Sequence, residues 1–340
     1  MRDVLTKTVS LGLQGAGAYG AFTWGVLDRL LDEEDLSIAR LSGSSSGAVN
    51  AAVLADGYAG GGGRRGAQRA LRRFWTGLAM AATFSPMRRT LLDHLVGGWT
   101  MEGSPAYHGL EMAGMLAGPV FEIPFTHNPL RILLSSLIDF DRVRASDTIP
   151  VFIAATNVRT GKGRIFPSEE ITVQSLLASA CLPTVFAAVE VDGESYWDGS
   201  YVANPPLAPL LDSAADDVIV VQNNPVSRST MPRSLADISN RANEIAFNIS
   251  FVRELASLKH VLAAPDEEQG TSVHASRSRL HLISGNDTLS DYRVSSKFNA
   301  ELDFITHLHG RGVEAADEWL RTHAGQLGVR STLDLERAFA

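Results

Sequence analysis

Ser45 lies in the run Gly43-Ser44-Ser45-Ser46-Gly47. This is a Gly-x-Ser-x-Gly pattern, in which a strained strand-to-helix turn lifts a serine hydroxyl above a sheet. The flanking glycines permit the close backbone approaches that such a turn demands. A helix starting just after Ser45 would aim its unpaired amides and positive dipole end at an oxygen on which negative charge develops, and the Ser46 amide is one such donor. Taken alone, the five residues also describe an ordinary Ser/Gly turn capping a helix.

A serine needs a base within hydrogen-bond reach. Asp198, in Tyr196-Trp197-Asp198-Gly199-Ser200, ends a short strand-like segment before a glycine that allows a sharp turn. The competing explanation is a plain Asp-Gly β-turn, which is how Asp56-Gly57 reads. His281, on an apolar run from 279 to 284, satisfies the order Ser, Asp, His of a triad and stands as an alternative base. His94, His108, His127, His260, His274, His307, His309 and His323 complete the histidines. None of them forms a His-x-x-x-His or Cys/His cluster, so no metal site is expected.

These residues need elements to position them. Thr8 to Leu13 reads as a strand running into the turn Gly15-Ala16-Gly17-Ala18-Tyr19-Gly20, and Phe22, Val26, Leu27, Leu30 and Leu31 follow at helical spacing. Ile38 to Leu41 is a second strand, and residues 48–55 are a helix-compatible run of small residues. Two strand–turn–helix units in the first 60 residues predict an α/β sheet. Gly60 to Gly66 reads as a flexible surface loop, and Phe84 to Asp139 as an irregular insertion. Its Phe84, Met87, Leu91, Leu92, Leu95, Trp99, Met101, Met112, Met115, Leu116, Phe121 and Phe125 would either pack on the core or line an acyl groove or lid. Further strands are expected at 150–156, 163–166, 189–191, 195–197, 217–222 and 279–284, and helices at 172–180, 235–262 and 298–323. No boundary splits the chain, so residues 1–340 are expected to form one domain, with a core at about 8–210 and a helical C-terminal region from about 235.

Composition excludes several classes. The 340 residues carry a formal charge of −8, which argues against nucleic acid as a partner, since that binding needs clustered cations. Cys181 is the one cysteine, so no intrachain disulfide can form. The amino terminus lacks a signal-peptide pattern, and no run approaches the roughly 20 apolar residues of a spanning helix. Cytoplasmic residence, with at most peripheral contact with a membrane or lipid surface, is the expectation.

Together, Gly15-Ala-Gly-Ala-Tyr-Gly20, Gly43-Ser-Ser-Ser-Gly47 and Asp198-Gly199-Ser200 resemble the three ordered signatures of the patatin-like phospholipases. Ala178-Ser-Ala-Cys-Leu-Pro183 and the residues around Asp198 look like bacterial members. The resemblance implies a three-layer α/β/α sandwich with a mixed, mainly parallel sheet. It also implies a Ser45–Asp198 dyad without histidine or cofactor, working through an acyl-enzyme, and an oxyanion hole from the amides of Ala16, Gly17 and Ala18. Gly15, Gly20, Gly43, Gly47 and Gly199 are the motif glycines. The implied substrates are lipid carboxylic esters, with neutral lipids, short acyl esters or an intracellular polyester as the alternative. Oligomeric state is not specified.

Two positions depart from the family pattern. Ala16 replaces a glycine, which requires negative φ there, and Tyr19 replaces the usual Arg or Lys. Gly15-x-Gly17-x-x-Gly20 also matches a dinucleotide fingerprint, but the second strand ends in Ser42-Gly43-Ser44 without the ribose-binding carboxylate. An NAD-dependent oxidoreductase and an inactive homologue are the distant alternatives.

Overall fold

Strand β1 (Lys7–Leu13) is buried on both faces from Val9 to Leu13, the pattern of a central strand in a parallel sheet covered by helices. The computed structural model describes residues 6–85, 87–95, 98–109, 128–183, 185–211, 215–228, 231–233, 235–263 and 278–334. In it β1 pairs in parallel with β2 (Leu36–Gly43) on one side and with β7 (Asp217–Gln222) on the other. β3 (Val151–Asn157) continues in parallel beyond β2, and β8 (Arg279–Ser284) beyond β7. β4 (Gly163–Pro167) and β6 (Glu194–Asp198) pair antiparallel with β3, and β5 (Val189–Val191) antiparallel with β6. The sheet order is β5-β6-β3-β2-β1-β7-β8, with β4 against β3.

Side-chain alternation along the strands divides the core into two layers. Leu11, Leu13, Ile219, Val221 and Ile283 pack with α1 (Gly20–Leu31), α2 (Ser46–Gly57), α3 (Gly63–Ala82) and the C-terminal helix Leu302–His323. Val218, Val220 and Leu280 face the opposite way, onto Leu207, Leu210, Phe251, Leu255 and Leu258. The architecture is therefore an α/β/α sandwich with a mixed, largely parallel sheet.

Two expectations change. Gly60 to Gly66 is a tight helix joint rather than a loose loop: Tyr58–Gly62 forms a wide turn, and a Cβ on Gly66 would lie 2.2 Å from the Gly57 carbonyl oxygen. The helix α3 that follows was not expected, because the glycines at its start hide it. Its Ala67, Ala70, Leu71, Phe74, Trp75 and Ala79 are all buried at helical spacing, and that burial outweighs the local cost of the glycines. The insertion is divided. Met101 is fully buried and Trp99 packs on the core, whereas Phe84 is 92% exposed and Leu95 85% exposed. Met112, Met115, Leu116, Phe121 and Phe125 lie outside the described residues, as do the side chains of Leu91 and Leu92.

The C-terminal helix crosses α1 at backbone contact. A Cβ on Gly25 would lie 2.0 Å from the His309 carbonyl oxygen, and one on Gly312 would lie 2.0 Å from the Phe22 carbonyl oxygen. Gly310, on the same helix, faces open space. Gly25→Ala or Gly312→Ala is expected to destabilise the fold by about 1–3 kcal/mol through overpacking. Gly310→Ala should be stabilising or neutral, with up to about 1 kcal/mol gained from helix propensity. Urea unfolding of the three variants checks the contrast.

Candidate active site

Register brings the singled-out residues together. Leu13 aligns with Gly43 and with Val221, so the turns after β1, β2 and β7 leave the same edge of the sheet, where open α/β sheets bind ligands. On the other side of β2, Gly43 aligns with Ile153, and two residues further along β3 Ala155 aligns with Asp198. Asp198 therefore sits level with Ser45, although nearly half the chain separates them in sequence.

Ser45 has φ 54° and ψ −126°, a conformation that costs a non-glycine residue of order 1–3 kcal/mol. The surroundings hold it there. Its N–H donates to Ser179 Oγ at 3.0 Å, and its carbonyl accepts from Val49 N at 3.1 Å. A Cβ on Gly15 would lie 2.4 Å from Ser45 Cβ, so the first glycine of the β1 turn is required by the serine packed against it. That serves the hydrolase alternative rather than the dinucleotide one, in which a glycine makes room for a pyrophosphate.

Asp198 is fully buried. Its N–H donates to Cys181 O at 2.8 Å, its carbonyl accepts from Thr156 Oγ1 at 2.7 Å, and Oδ1 accepts from Ser200 N at 2.8 Å. Burial pushes the carboxyl up to about 6, against smaller opposing effects of the Ser200 amide and the Ser45 hydroxyl. Oδ2 has no full hydrogen-bond partner among the described residues. The Ser45 hydroxyl is nonetheless near enough to lower the carboxyl's affinity for a proton. The Cys181 thiol, also buried, is pushed up to about 12 and is not a competing nucleophile.

His281 lies elsewhere. Its Nε2 is 2.9 Å from Asp217 Oδ1 and its Nδ1 is 2.9 Å from Thr332 Oγ1, near the opposite end of β7 and β8 from the Ser45 turn. The alternative of a Ser-Asp-His triad through His281 is therefore withdrawn. Among the described residues, His94, Glu301 and Asp303 have ligand atoms within 4.8 Å of one another. Arg89 already fills that cluster, with ion pairs of 2.7 Å to Glu301 and 2.5 Å to Asp303.

The β1 turn presents its donors unequally. Ala16 has φ −160°, extended backbone open to any residue, and only Gly17 takes positive φ, at 59°. The Ala16 amide, expected among the oxyanion donors, is instead taken up by Ser46 Oγ at 3.1 Å. Gly17 and Ala18 open a 3-10 turn and Ser46 opens α2, so their amides are the ones helical bonding leaves over.

Several residues that build the site were not singled out from sequence. Asn204 Oδ1 accepts from Gly15 N at 2.7 Å, and its Nδ2 donates to Gly15 O at 3.2 Å. Asn224 Nδ2 also donates to Gly15 O, at 2.6 Å. Gln14 Oε1 accepts from the amides of Asn223 and Asn224 at 3.2 and 3.1 Å. The available signal was position: Asn223-Asn224 directly follows a strand buried along its whole length.

A family model described as "Patatin-like phospholipase" matches residues 11–211, a span that takes in the β1 turn, Ser45 and Asp198. Among solved structures, the crystal structure of VipD from Legionella pneumophila aligns with 90% of this chain and 67% of its own, at 13% identity and a TM-score of 0.37. No curated protein matches the chain.

A raised carboxyl has a consequence for stability. The native state holds a proton on Asp198 up to about pH 6, above the ordinary value of 3.8. Stability from this group is therefore highest at low pH and is lost as pH rises through that interval. Asp198→Asn removes the buried charge while keeping an acceptor for Ser200 N. At pH 7 it is expected to stabilise the fold by about 1–3 kcal/mol, with the gain vanishing near pH 4, as read by thermal unfolding across pH.

Proposed function

The chain belongs to the patatin-like phospholipase family, whose hydrolases act on lipid and ester substrates, and from that premise we propose that it is a carboxylic ester hydrolase working through a Ser45–Asp198 dyad. The observation that carries this reading is the pairing of a serine at φ 54° with a fully buried carboxyl raised to about 6. A carboxylate of that basicity is poised to accept a proton at neutral pH.

Ser45 Oγ attacks the ester carbonyl as its proton passes to Asp198 Oδ2, the oxygen without a full hydrogen-bond partner among the described residues. The carbonyl oxygen becomes an oxyanion and is met by the Gly17, Ala18 and Ser46 amides, with Ala16 setting their position through Ser46 Oγ. Collapse expels the alcohol, which takes the proton from Asp198 and leaves Ser45 acylated. Water then loses a proton to Asp198 as it attacks the acyl carbonyl, and collapse breaks the acyl–Oγ bond, Ser45 Oγ taking the proton back from Asp198 as the acid is released.

Phospholipids and non-phospholipid esters both fit this chemistry. Tyr19 is buried and 2.9 Å from Ser296 Oγ, so the β1 turn itself offers a phosphate no cation. We read the whole chain as one hydrolase domain, since the C-terminal helix is seated on the helix that grows out of the β1 turn.

Lipid-surface contact is the partner reading. Between Gly57 and Leu92 the sequence has seven arginines and no acidic residue, and Arg65, Arg69, Arg72, Arg73 and Arg88 among them are exposed, whereas Arg89 is buried in its ion pairs. Met80 and Phe84 near the end of that stretch are 63% and 92% exposed. Among the described residues no helix is long and apolar enough to cross a membrane. Basic and apolar groups exposed side by side suit a peripheral site on an anionic lipid surface. Phe84→Ser is expected to lower co-sedimentation with phosphatidylglycerol vesicles severalfold while leaving hydrolysis of a soluble p-nitrophenyl ester unchanged.

Labelling with a fluorophosphonate probe tests the dyad. The wild type should be labelled and Ser45→Ala should not, with kcat on p-nitrophenyl esters falling at least ~10⁴-fold. For the wild type, kcat/KM should rise with pH through about 6 and then level off, because Asp198 acts as base only when ionised. Equal labelling of wild type and Ser45→Ala would overturn the assignment.

A further inference from the structure

The β1 turn lacks a cation in its own sequence, yet an ammonium reaches it from far along the chain. Lys297 Nζ lies 5.5 Å from the centre of the Tyr19 ring and donates to Asn224 Oδ1 at 2.9 Å and to Glu244 Oε1 at 3.2 Å. Its side chain is only 11% exposed. Its carbonyl oxygen packs on Gly17, where a Cβ would come within 2.6 Å. Ser296, the preceding residue, holds the Tyr19 hydroxyl at 2.9 Å.

The hydrogen-bond polarity of this contact is decisive. An ammonium only donates, so it fixes the Asn224 side chain with Oδ1 toward Lys297 and Nδ2 toward the β1 turn. Nδ2 then donates to Gly15 O at 2.6 Å. That carbonyl and the Ala16 amide belong to one peptide unit, and the amide donates to Ser46 Oγ at 3.1 Å. The Gly15–Ala16 peptide is thus clamped at both ends, and its plane sets the direction of the Gly17 and Ala18 amides that follow.

Charge points the same way. Glu244 is fully buried and paired with three cations: Arg228 at 2.9 Å, Arg241 at 2.7 Å and Lys297 at 3.2 Å. Among the described residues three basic side chains thus meet one carboxylate behind the turn; burial draws the Lys297 ammonium below its ordinary value, and Glu244 opposes that shift.

We propose that Lys297 is a positioning residue for the oxyanion loop, acting through Asn224 on the Gly15–Ala16 peptide and supplying from the C-terminal region the positive charge that Tyr19 leaves out of the loop. Lys297 touches no substrate. Its effect is on the alignment of the Gly17 and Ala18 amides, so it falls on the transition state rather than on substrate binding. The inference rests on the hydrolase reading for its kinetic consequence and on the hydrogen bonds alone for its structural one.

The test joins steady-state kinetics to hydrogen exchange of the 14–20 peptide followed by mass spectrometry. Lys297→Met is suited to it, because Glu244 keeps two guanidinium partners and the apolar stem of the side chain is retained. The expected result is a tenfold or greater fall in kcat with KM within threefold of wild type, and tenfold faster exchange in the 14–20 peptide. Lys297→Arg, which also only donates, should recover most of both. Asn224→Ala breaks the other end of the relay and should reproduce both effects even if Lys297→Met does not fold. The double variant should then be no worse than the poorer single one. Wild-type kcat or unchanged loop exchange in folded Lys297→Met, or a loss carried by KM, overturns the proposal. If the wild type neither hydrolyses esters nor takes the fluorophosphonate, the hydrolase reading fails separately, and exchange in the three variants still decides whether Lys297 holds the loop.

Discussion

The molecule is organised by the contact between two backbone turns. The turn after β1 and the turn after β2 meet so closely that Gly15 has no room for a methyl group beside Ser45 Cβ, and Gly47 has none beside the Leu13 carbonyl. Parallel pairing of β1 with β2 makes this contact unavoidable, because Leu13 and Gly43 are register partners and both turns must leave from there. The amide donors of one turn and the hydroxyl of the other are thereby held together before any ligand arrives. Catalysis by preorganised dipoles needs that order of events, since reorganisation during the reaction would consume the gain.

Two aspartates of the same sheet show how strongly environment sets a carboxyl. Asp198 is buried with amide and hydroxyl neighbours only, and its affinity for a proton rises. Asp217 is also well buried, but His281, Arg279 and the Gly328 amide surround it and together override burial, so its affinity falls. The first arrangement keeps a proton acceptor near neutrality, and the second ties β7 to β8 and to the segment beyond the C-terminal helix. A residue count could not separate the two roles, and the partners do.

What was legible in the sequence was what local pattern can encode. The β1 strand, the two glycine-bearing turns and the Asp-Gly at 198 are short, contiguous signals, and the family match covers the turns, the Asp-Gly and the end of β1. Helix α3 was missed because a run of glycines leads into it and Gly66 lies in its first turn, although its buried stripe at 67, 70, 71, 74, 75 and 79 was in view. The asparagine frame was not legible, because Asn204, Asn223 and Asn224 act through distant backbone groups and no spacing rule links them to Gly15. Lys297 was hidden for the same reason: its importance comes from a contact across most of the chain. The requirement that Ala16 avoid positive φ, by contrast, followed from its Cβ alone, and its φ of −160° meets it.

The C-terminal helix, seated on α1 through Gly25 and Gly312, has a meaning for the order in which the protein comes into being. During synthesis Ser45 emerges early, while Asp198, Asn224 and Lys297 leave the ribosome progressively later. β2 follows β1 after one α-helix, but β7, on the other flank of β1, can pair only after a long stretch of chain has been made, which delays that side of the sheet. An incomplete chain therefore contains the serine without the carboxyl beside it or the frame around the β1 turn. The proposed nucleophile becomes competent only after Asp198 and the residues that frame the β1 turn have been made and folded, so a fragment that ends before them would hold the serine without the means to activate it.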